Sequence, residues 1–357
     1  MKNIVIGIHG LKNKVTVESL YAWWDISLHQ ALRNAGLKNF PFRLELIYWA
    51  DLLYPFPLDP VITDEKDPRY LSFPFKYLTP PSEPSGSTLR RLTRNGIEKL
   101  ADFLMHSDSI YHNLEDLSEK FIRHHFRDLD VYLNNGTGYH EAQSRNVRQA
   151  ITERVIETLH RHKSQKIMII AHSMGSIIIY DVLSSLLQND IQIDTLVTLG
   201  SPLGQSTVMG KLSGQNPVKQ KLKTPENIKN WYNLSDIRDI ITINYDLEDD
   251  FYPNSKNVKP QDYLVNNNYT WEDKTNPHSV FGYLQTPQCG QALFDFLVKD
   301  MSSWQLTISS YLQKFREHIL KREANLYKSI PIRQEEKIKA GKPALSPEER
   351  FKEQLES

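Results

Sequence analysis

Apolar residues in this chain follow two rhythms. Short unbroken runs rich in branched aliphatics, such as Ile4-Val5-Ile6-Gly7-Ile8, Ile167-Met168-Ile169-Ile170-Ala171 and Leu196-Val197-Thr198-Leu199, alternate with longer stretches in which apolar positions recur every three or four residues. An unbroken run of that kind suits a strand buried on both faces, and the 3.6-residue rhythm suits an amphipathic helix. The pattern predicts strands over 3–8, 42–49, 166–171 and 193–199, and a further strand from 228 whose end carries Asp236 and Asp239. Helices are expected over 18–35, 141–162 and directly after the strand at 166–171. Strands alternating with helices specify a parallel sheet covered on both faces, with ligands bound beyond the carboxyl ends of the strands.

The rhythm breaks in two places. Residues 54–84 are crowded with proline and aromatics, Phe73 and Phe75 among them, and residues 89–133 return to helical spacing. This insertion, 52–135, is expected either to cap the active site and give it an apolar acyl-binding wall or to pack as an ornament on the sheet edge. Near the carboxyl end, Trp304, Ile308, Leu312, Phe315 and Ile319 describe an amphipathic helix. After Ile330 the chain turns strongly polar. The expected organisation is one catalytic domain over 1–325 and a polar tail over 326–357.

Charge and cysteine content narrow the class. Lys plus Arg and Asp plus Glu both number 43, so there is no excess of positive charge to hold nucleic acid. The single cysteine, Cys289, excludes an intrachain disulfide and suits a reducing compartment. No apolar run reaches membrane-spanning length, and the first strand begins by Asn3. The expectation is a cytoplasmic protein without a leader. No zinc-type histidine pattern occurs, so neither metal nor cofactor is expected.

The chemistry concentrates where the run 166–171 breaks into His172-Ser173-Met174-Gly175 and continues as an apolar helix. A buried strand turning sharply into a helix with serine at the apex is a nucleophile elbow. Bulk two positions either side would collide with neighbouring backbone, and Ala171 and Gly175 avoid it. The Met174 amide, at the helix start, faces the place where an oxyanion forms. The first strand ends in His9-Gly10-Leu11-Lys12, and glycine there lets a loop amide, Leu11 or Lys12, turn inward as the second donor. His9 is expected to order that loop rather than to transfer protons.

Ile8-His9-Gly10 together with Ala171-His172-Ser173-Met174-Gly175 resembles the α/β-hydrolase superfamily, in its lipase-like branch, with Ala171 in place of the commoner glycine. The resemblance implies an α/β fold with a mostly parallel sheet, helices on both faces and a helical, Pro-rich cap insertion. It also implies a triad in the chain order serine, acid, histidine. The acid then belongs at the end of the strand near 234, where Asp239-Ile240-Ile241 matches the lipase pattern better than Asp236, the runner-up. His278 lies in a loop ahead of an apolar segment, and no other histidine stands between Asp239 and the carboxyl-terminal helix. It is the expected general base. The implied activity is hydrolysis of carboxylic esters, with lipid or lysophospholipid esters among the candidates. The same parts would serve an acyltransferase, thioesterase or amidase, and a binding protein that had lost turnover would keep the fold. A small-molecule or lipid ester is the expected partner, with Phe73 and Phe75 against its acyl chain.

Overall fold

Chain order and sheet order differ in a way that creates a crevice. In the computed structural model, which describes residues 3–37, 40–76, 127–133, 146–186, 190–213, 221–242, 246–271 and 274–299, the main elements are β1 (Asn3–Ile8), α1 (Val17–Asn34), β2 (Leu44–Ile47), α2 (Arg127–Leu133), α3 (Val147–Arg161), β3 (Lys166–His172), α4 (Met174–Asp181), β4 (Ile193–Leu199), α5 (Ser206–Ser213), β5 (Trp231–Ser235), β6 (Gln261–Leu264), α6 (Val280–Leu284) and α7 (Pro287–Val298). The six strands form one sheet in the order β2-β1-β3-β4-β5-β6, and every neighbouring pair is parallel. From β1 the chain moves outward to β2 and then returns to the other side at β3. The carboxyl ends of β1 and β3 are therefore a topological switch point, where a crevice opens in sheets of this type. The described residues before 300, apart from 40 and 41, belong to one compact unit.

Alternate side chains of each strand feed opposite layers. Ile4, Ile6 and Ile8 of β1 and Ile167, Ile169 and Ala171 of β3 pack in one cluster with Val147, Ile151, Val155 and Leu159 of α3 and with Ile177 and Ile178 of α4. Val5, Met168, Ile170 and Val197 are buried on the opposite face, where α1 and α7 pack against each other. Each fully buried Ile contributes about 1.5–3 kcal/mol, and the buried polar residue Thr198 of β4 is accommodated by hydrogen bonds, its hydroxyl meeting Asn233 Oδ1 at 2.8 Å. Helix α1 begins where Thr16 accepts the Ser19 amide, and it turns Leu20, Trp24, Leu28, Ala31 and Leu32 inward at helical spacing.

Two strands are shorter than their patterns. β2 covers Leu44–Ile47 rather than 42–49, because Trp49 gives its amide to His9 and the chain turns into a 3-10 segment at Ala50–Leu52. β5 begins at Trp231, with Ile228 making only an isolated bridge to Ile193. The sixth strand, β6, has no counterpart in the pattern. The insertion is described over 52–76 and 127–133. Its first part is tied to the loop after β1, with the Leu58 amide donating to Lys14 O at 2.8 Å and Asn13 Nδ2 donating to Phe56 O at 2.7 Å. It also reaches the far side of the sheet, where Tyr269 donates its hydroxyl to Pro74 O at 2.6 Å. Residues 77–126, the helix expected around Trp304 to Ile319 and the polar tail lie outside the described residues. Among the described residues no helix is long and apolar enough to cross a membrane.

Candidate active site

Ser173 links the end of β3 to the start of α4 at φ 51° and ψ −125°. A non-glycine residue at positive φ is strained, at a cost of about 1–3 kcal/mol. The surroundings hold it there. The Ser173 amide donates to Leu199 O at 2.9 Å, and Ser173 O accepts from both the amide and the hydroxyl of Ser176. Gly175 is required by close approach: a Cβ there would lie 2.7 Å from Ile8 O and 2.9 Å from His9 O, so any side chain would push α4 off β1. The turn places Ser173 Oγ 3.0 Å from His278 Nε2.

His278 sits in the short segment between Thr275 and α6, and its Nδ1 lies 2.7 Å from Asp239 Oδ2. With Nδ1–H donating to the carboxylate, Nε2 is left to accept from the serine hydroxyl. Asp239 is wholly sealed, while the His278 side chain is 26 % exposed. The carboxylate is therefore dry and the imidazole reachable. Asp239 has further donors, the Tyr283 hydroxyl at 2.8 Å on Oδ2 and the Ile241 amide at 3.0 Å on Oδ1. Burial and the Asp239 carboxylate push the Tyr283 hydroxyl well above its ordinary value, so it stays a donor. Gly200, at φ +54°, passes directly beneath. A Cβ there would stand 3.0 Å from Asp239 Oδ2 and 3.2 Å from His278 Nδ1.

Asp236, the runner-up acid, has other partners. It holds Arg238 through Nε at 3.0 Å and Nη2 at 2.6 Å, and it accepts the amides of Arg238 and Asn267. Its own amide donates to the Tyr283 hydroxyl at 3.0 Å.

The candidate oxyanion donors part company. Met174 heads α4, so its amide has no acceptor within the helix. Lys12 lies at φ 68° and turns its amide to Asp128 Oδ2 at 2.7 Å. The Lys12 amide is thereby committed to Asp128, which leaves Leu11 as the other of the two expected loop donors. His9 is fully engaged: Nε2 accepts the Trp49 amide at 3.0 Å, Nδ1 meets Gly10 O at 2.9 Å, and the ring stacks on Trp49. Burial, with Lys14 nearby, holds its pKa well below the usual value. It orders the loop and has no nitrogen free for proton transfer.

A cleft of about 620 Å³ opens over these groups, its floor including His172 and His278. Leu20, Trp23, Leu58, Leu71, Phe73 and Phe281 make most of its walls apolar. Phe73 faces it directly. Phe75 stands behind, stacked on Trp23 at 5.7 Å and edge-on to Phe281 at 5.2 Å. Ser173 is fully buried beside the cleft, whose lining includes its neighbour His172 and its partner His278. Three residues of the site carried no sequence signal of their own. Lys14 ties the loop after β1 together by donating Nζ to the carbonyls of Leu11 and Lys12, and burial brings its pKa down to about 7. The other two, Tyr283 and Asn267, are ordinary residues in sequence and matter only through what they touch. Among the described residues no group of His, Cys, Asp and Glu could hold a metal ion.

Residues 150–225 match the model of the lecithin:cholesterol acyltransferase family. The matched stretch runs from α3 through the elbow and β4, and so includes Ser173 but neither Asp239 nor His278. Comparison with curated proteins and with solved structures gave no match. The parallel sheet, the elbow and this match are together consistent with a lipase-like α/β hydrolase.

Proposed function

We propose that this chain is a serine hydrolase of lipid-like carboxylic esters that works through an acyl-enzyme. The reading rests on one observation: Ser173 from the turn after β3, His278 from the segment before α6 and Asp239 from the loop after β5 form an unbroken hydrogen-bonded chain at 3.0 and 2.7 Å. Ser173 Oγ attacks the ester carbonyl carbon while His278 Nε2 takes the hydroxyl proton, and Asp239 holds the imidazole in the tautomer that makes this possible. The oxyanion is met by the amides of Met174 and Leu11. The ester C–O bond then breaks, and the departing alkoxide takes the proton from His278. Water, deprotonated by the same nitrogen, releases the acid and restores Ser173.

The apolar walls of the cleft favour an acyl chain over a short polar acid, and the family match supports a lipid substrate. The same match favours a second reading, acyl transfer, in which an alcohol replaces water in the second half-reaction and nothing else in the site changes. Treatment with a fluorophosphonate, followed by hydrolysis of p-nitrophenyl esters of rising chain length with and without an added long-chain alcohol, tests both. Ser173→Ala and His278→Ala should each lower turnover by at least about a thousandfold. Undiminished labelling of Ser173→Ala would place the nucleophile elsewhere, and ester formation with the alcohol in preference to free acid would select transfer.

A further inference from the structure

The imidazole of His278 must meet Asp239 and Ser173 at once, yet it rides on an irregular segment. What fixes that segment is a set of carbonyls held from outside. His172 Nε2 donates to His278 O at 2.9 Å. Asn267 Nδ2 donates to Pro277 O and to Ser279 O, both at 2.8 Å. Three consecutive carbonyls, those of 277, 278 and 279, are thus gripped by two side chains, His172 at the end of β3 and Asn267 in the loop after β6. Both side chains are buried, Asn267 completely.

The peptide unit is planar, so the Pro277 carbonyl reports the plane on one side of the His278 Cα and the His278 carbonyl the plane on the other. Holding both fixes φ and ψ of His278 and therefore the direction of its Cα–Cβ bond. The Asn276 side chain adds a bond to the His278 amide at 3.2 Å. Only the two side-chain torsions are left, and the contacts to Asp239 and Ser173 set those.

The clamps are themselves anchored. A carbonyl can only accept, so His172 Nε2 carries a proton; burial and the neighbouring His278 hold the His172 pKa well below the ordinary value, which keeps the ring neutral with Nδ1 bare. Its ring centre lies 4.7 Å from that of His278, where a second positive charge would oppose the imidazolium formed in catalysis. Asn267 is held through its amide, which donates to Asp236 Oδ2 at 2.6 Å, and through its carbonyl, which accepts from Arg238 Nη2 at 3.0 Å.

We propose that His172 and Asn267 are positioning residues, which lock the two peptide planes flanking His278 so that its imidazole spans Asp239 and Ser173. The proposal rests on His278 being the base. It gives the residue before the nucleophile a task separate from the elbow, and it gives the Asp236–Arg238 pair a route to the reaction through Asn267.

The test compares His172→Leu, which has no donor, with His172→Gln, whose amide N–H has nearly the reach of Nε2, in the full-length chain alongside Asn267→Asp. Turnover of a p-nitrophenyl ester, the rate of fluorophosphonate labelling and the thermal midpoint are measured for each. His172→Leu and Asn267→Asp should lose about 10- to 100-fold in kcat, the scale of a misplacement near 1 Å, with KM within about twofold. His172→Gln should recover most of that loss at a thermal midpoint close to that of His172→Leu. Should Asn267→Asp fail to fold, the His172 pair decides. Equal kcat and equal labelling in His172→Leu and His172→Gln, with Ser173→Ala and His278→Ala inactive, would overturn the clamp and leave the triad standing. Activity surviving in His278→Ala would remove the base, and with it the clamp.

Discussion

The elbow at Ala171–Gly175 and the loop leaving β5 at Asp236–Thr242 each supply one end of the same hydrogen-bonded chain, but they are built by opposite means. The elbow is a matter of backbone sterics within five residues: a strained serine, and a glycine that lets α4 touch Ile8 O and His9 O. The loop after β5 is relaxed, and its shape is set by distant partners. Tyr283 bridges the Asp236 amide and the Asp239 carboxylate, and Gln205 Nε2 donates to Ile241 O at 2.7 Å. Strain can be encoded locally, while the identity of an acid depends on which partners the fold delivers to it. Asp236 and Asp239 are chemically identical, three residues apart and both buried. One is a counter-ion for a guanidinium and the other for an imidazole.

The largest effect should come from exchanging those identities. Asp239→Asn should lower kcat by about 10⁴-fold, because an amide facing Nδ1 can hold the wrong tautomer and leaves Nε2 protonated toward the serine. Asp236→Asn keeps the shape but weakens the grip on Arg238 and Asn267, so about tenfold in kcat and about 1–3 kcal/mol in unfolding free energy are expected. Steady-state kinetics and urea unfolding of the two variants read both quantities. The reverse ranking of kcat would make Asp236 the acid.

Next in size are the two glycines that allow the close approaches. Gly175→Val forces a branched side chain against two carbonyls and should cost at least about 1–3 kcal/mol, with loss of fluorophosphonate labelling as the elbow shifts. Gly200→Ala combines a positive φ with a Cβ beside His278 Nδ1, so it should slow turnover even where the protein melts normally. A Gly200→Ala variant with full kcat would mean that the strand end beneath Asp239 and His278 has room to spare.

How far the sequence was legible follows the same division. The parallel sheet and the elbow could be read because their signals are local: apolar runs such as Ile167 to Ala171, then a serine among small residues. Strand β6, Gln261-Asp262-Tyr263-Leu264, could not, since an edge strand is buried on neither face continuously and its alternation spans only four residues. The placement of Asp239 against His278 was reached through family resemblance, not from any property of the residue. Lys12 and Leu11 were indistinguishable until the positive φ of Lys12 and its bond to Asp128 separated them. Asn267 had no local mark at all, because its role lies in contacts with residues 10 and 12 positions away and with Asp236.

The cleft offers a smaller contrast between neighbours. Phe73 lines the cavity, whereas Phe75 is packed behind it between Trp23 and Phe281. Phe73→Ala should weaken a long-chain ester about four- to fifteenfold in kcat/KM and leave an acetyl ester nearly unchanged, on the scale of one or two methylenes at about 0.8 kcal/mol each. Phe75→Ala should instead lower the thermal midpoint, since it removes two aromatic contacts worth about 0.5–1.5 kcal/mol apiece beyond their area. Equal losses on short and long esters for Phe73→Ala would detach the apolar wall from substrate selection.

The smallest expected effect concerns the charge state of His172. Its pKa is lowered in the fold from an ordinary value of 6.5, mainly by burial. The unfolded chain therefore binds a proton more readily, and the stability that neutral His172 contributes is lost as pH falls below 6.5, by up to about 1.4 kcal/mol per pH unit. The wild-type curve alone would hide this. Asp262, pushed up to about 7 by burial and by Asp246, works in the opposite sense over the same range: its contribution is present at low pH and is lost as pH rises through about 7. A difference between variants cancels that background. His172→Gln has no proton to bind, so its deficit against wild type in urea unfolding should be widest at pH 7.5 and should narrow steadily at 6.5, 6.0 and 5.5. A deficit that stayed constant would mean that His172 accepts a proton in the fold as easily as in the unfolded chain, and a charged ring 4.7 Å from His278 would then have to be reckoned into the chemistry of the base.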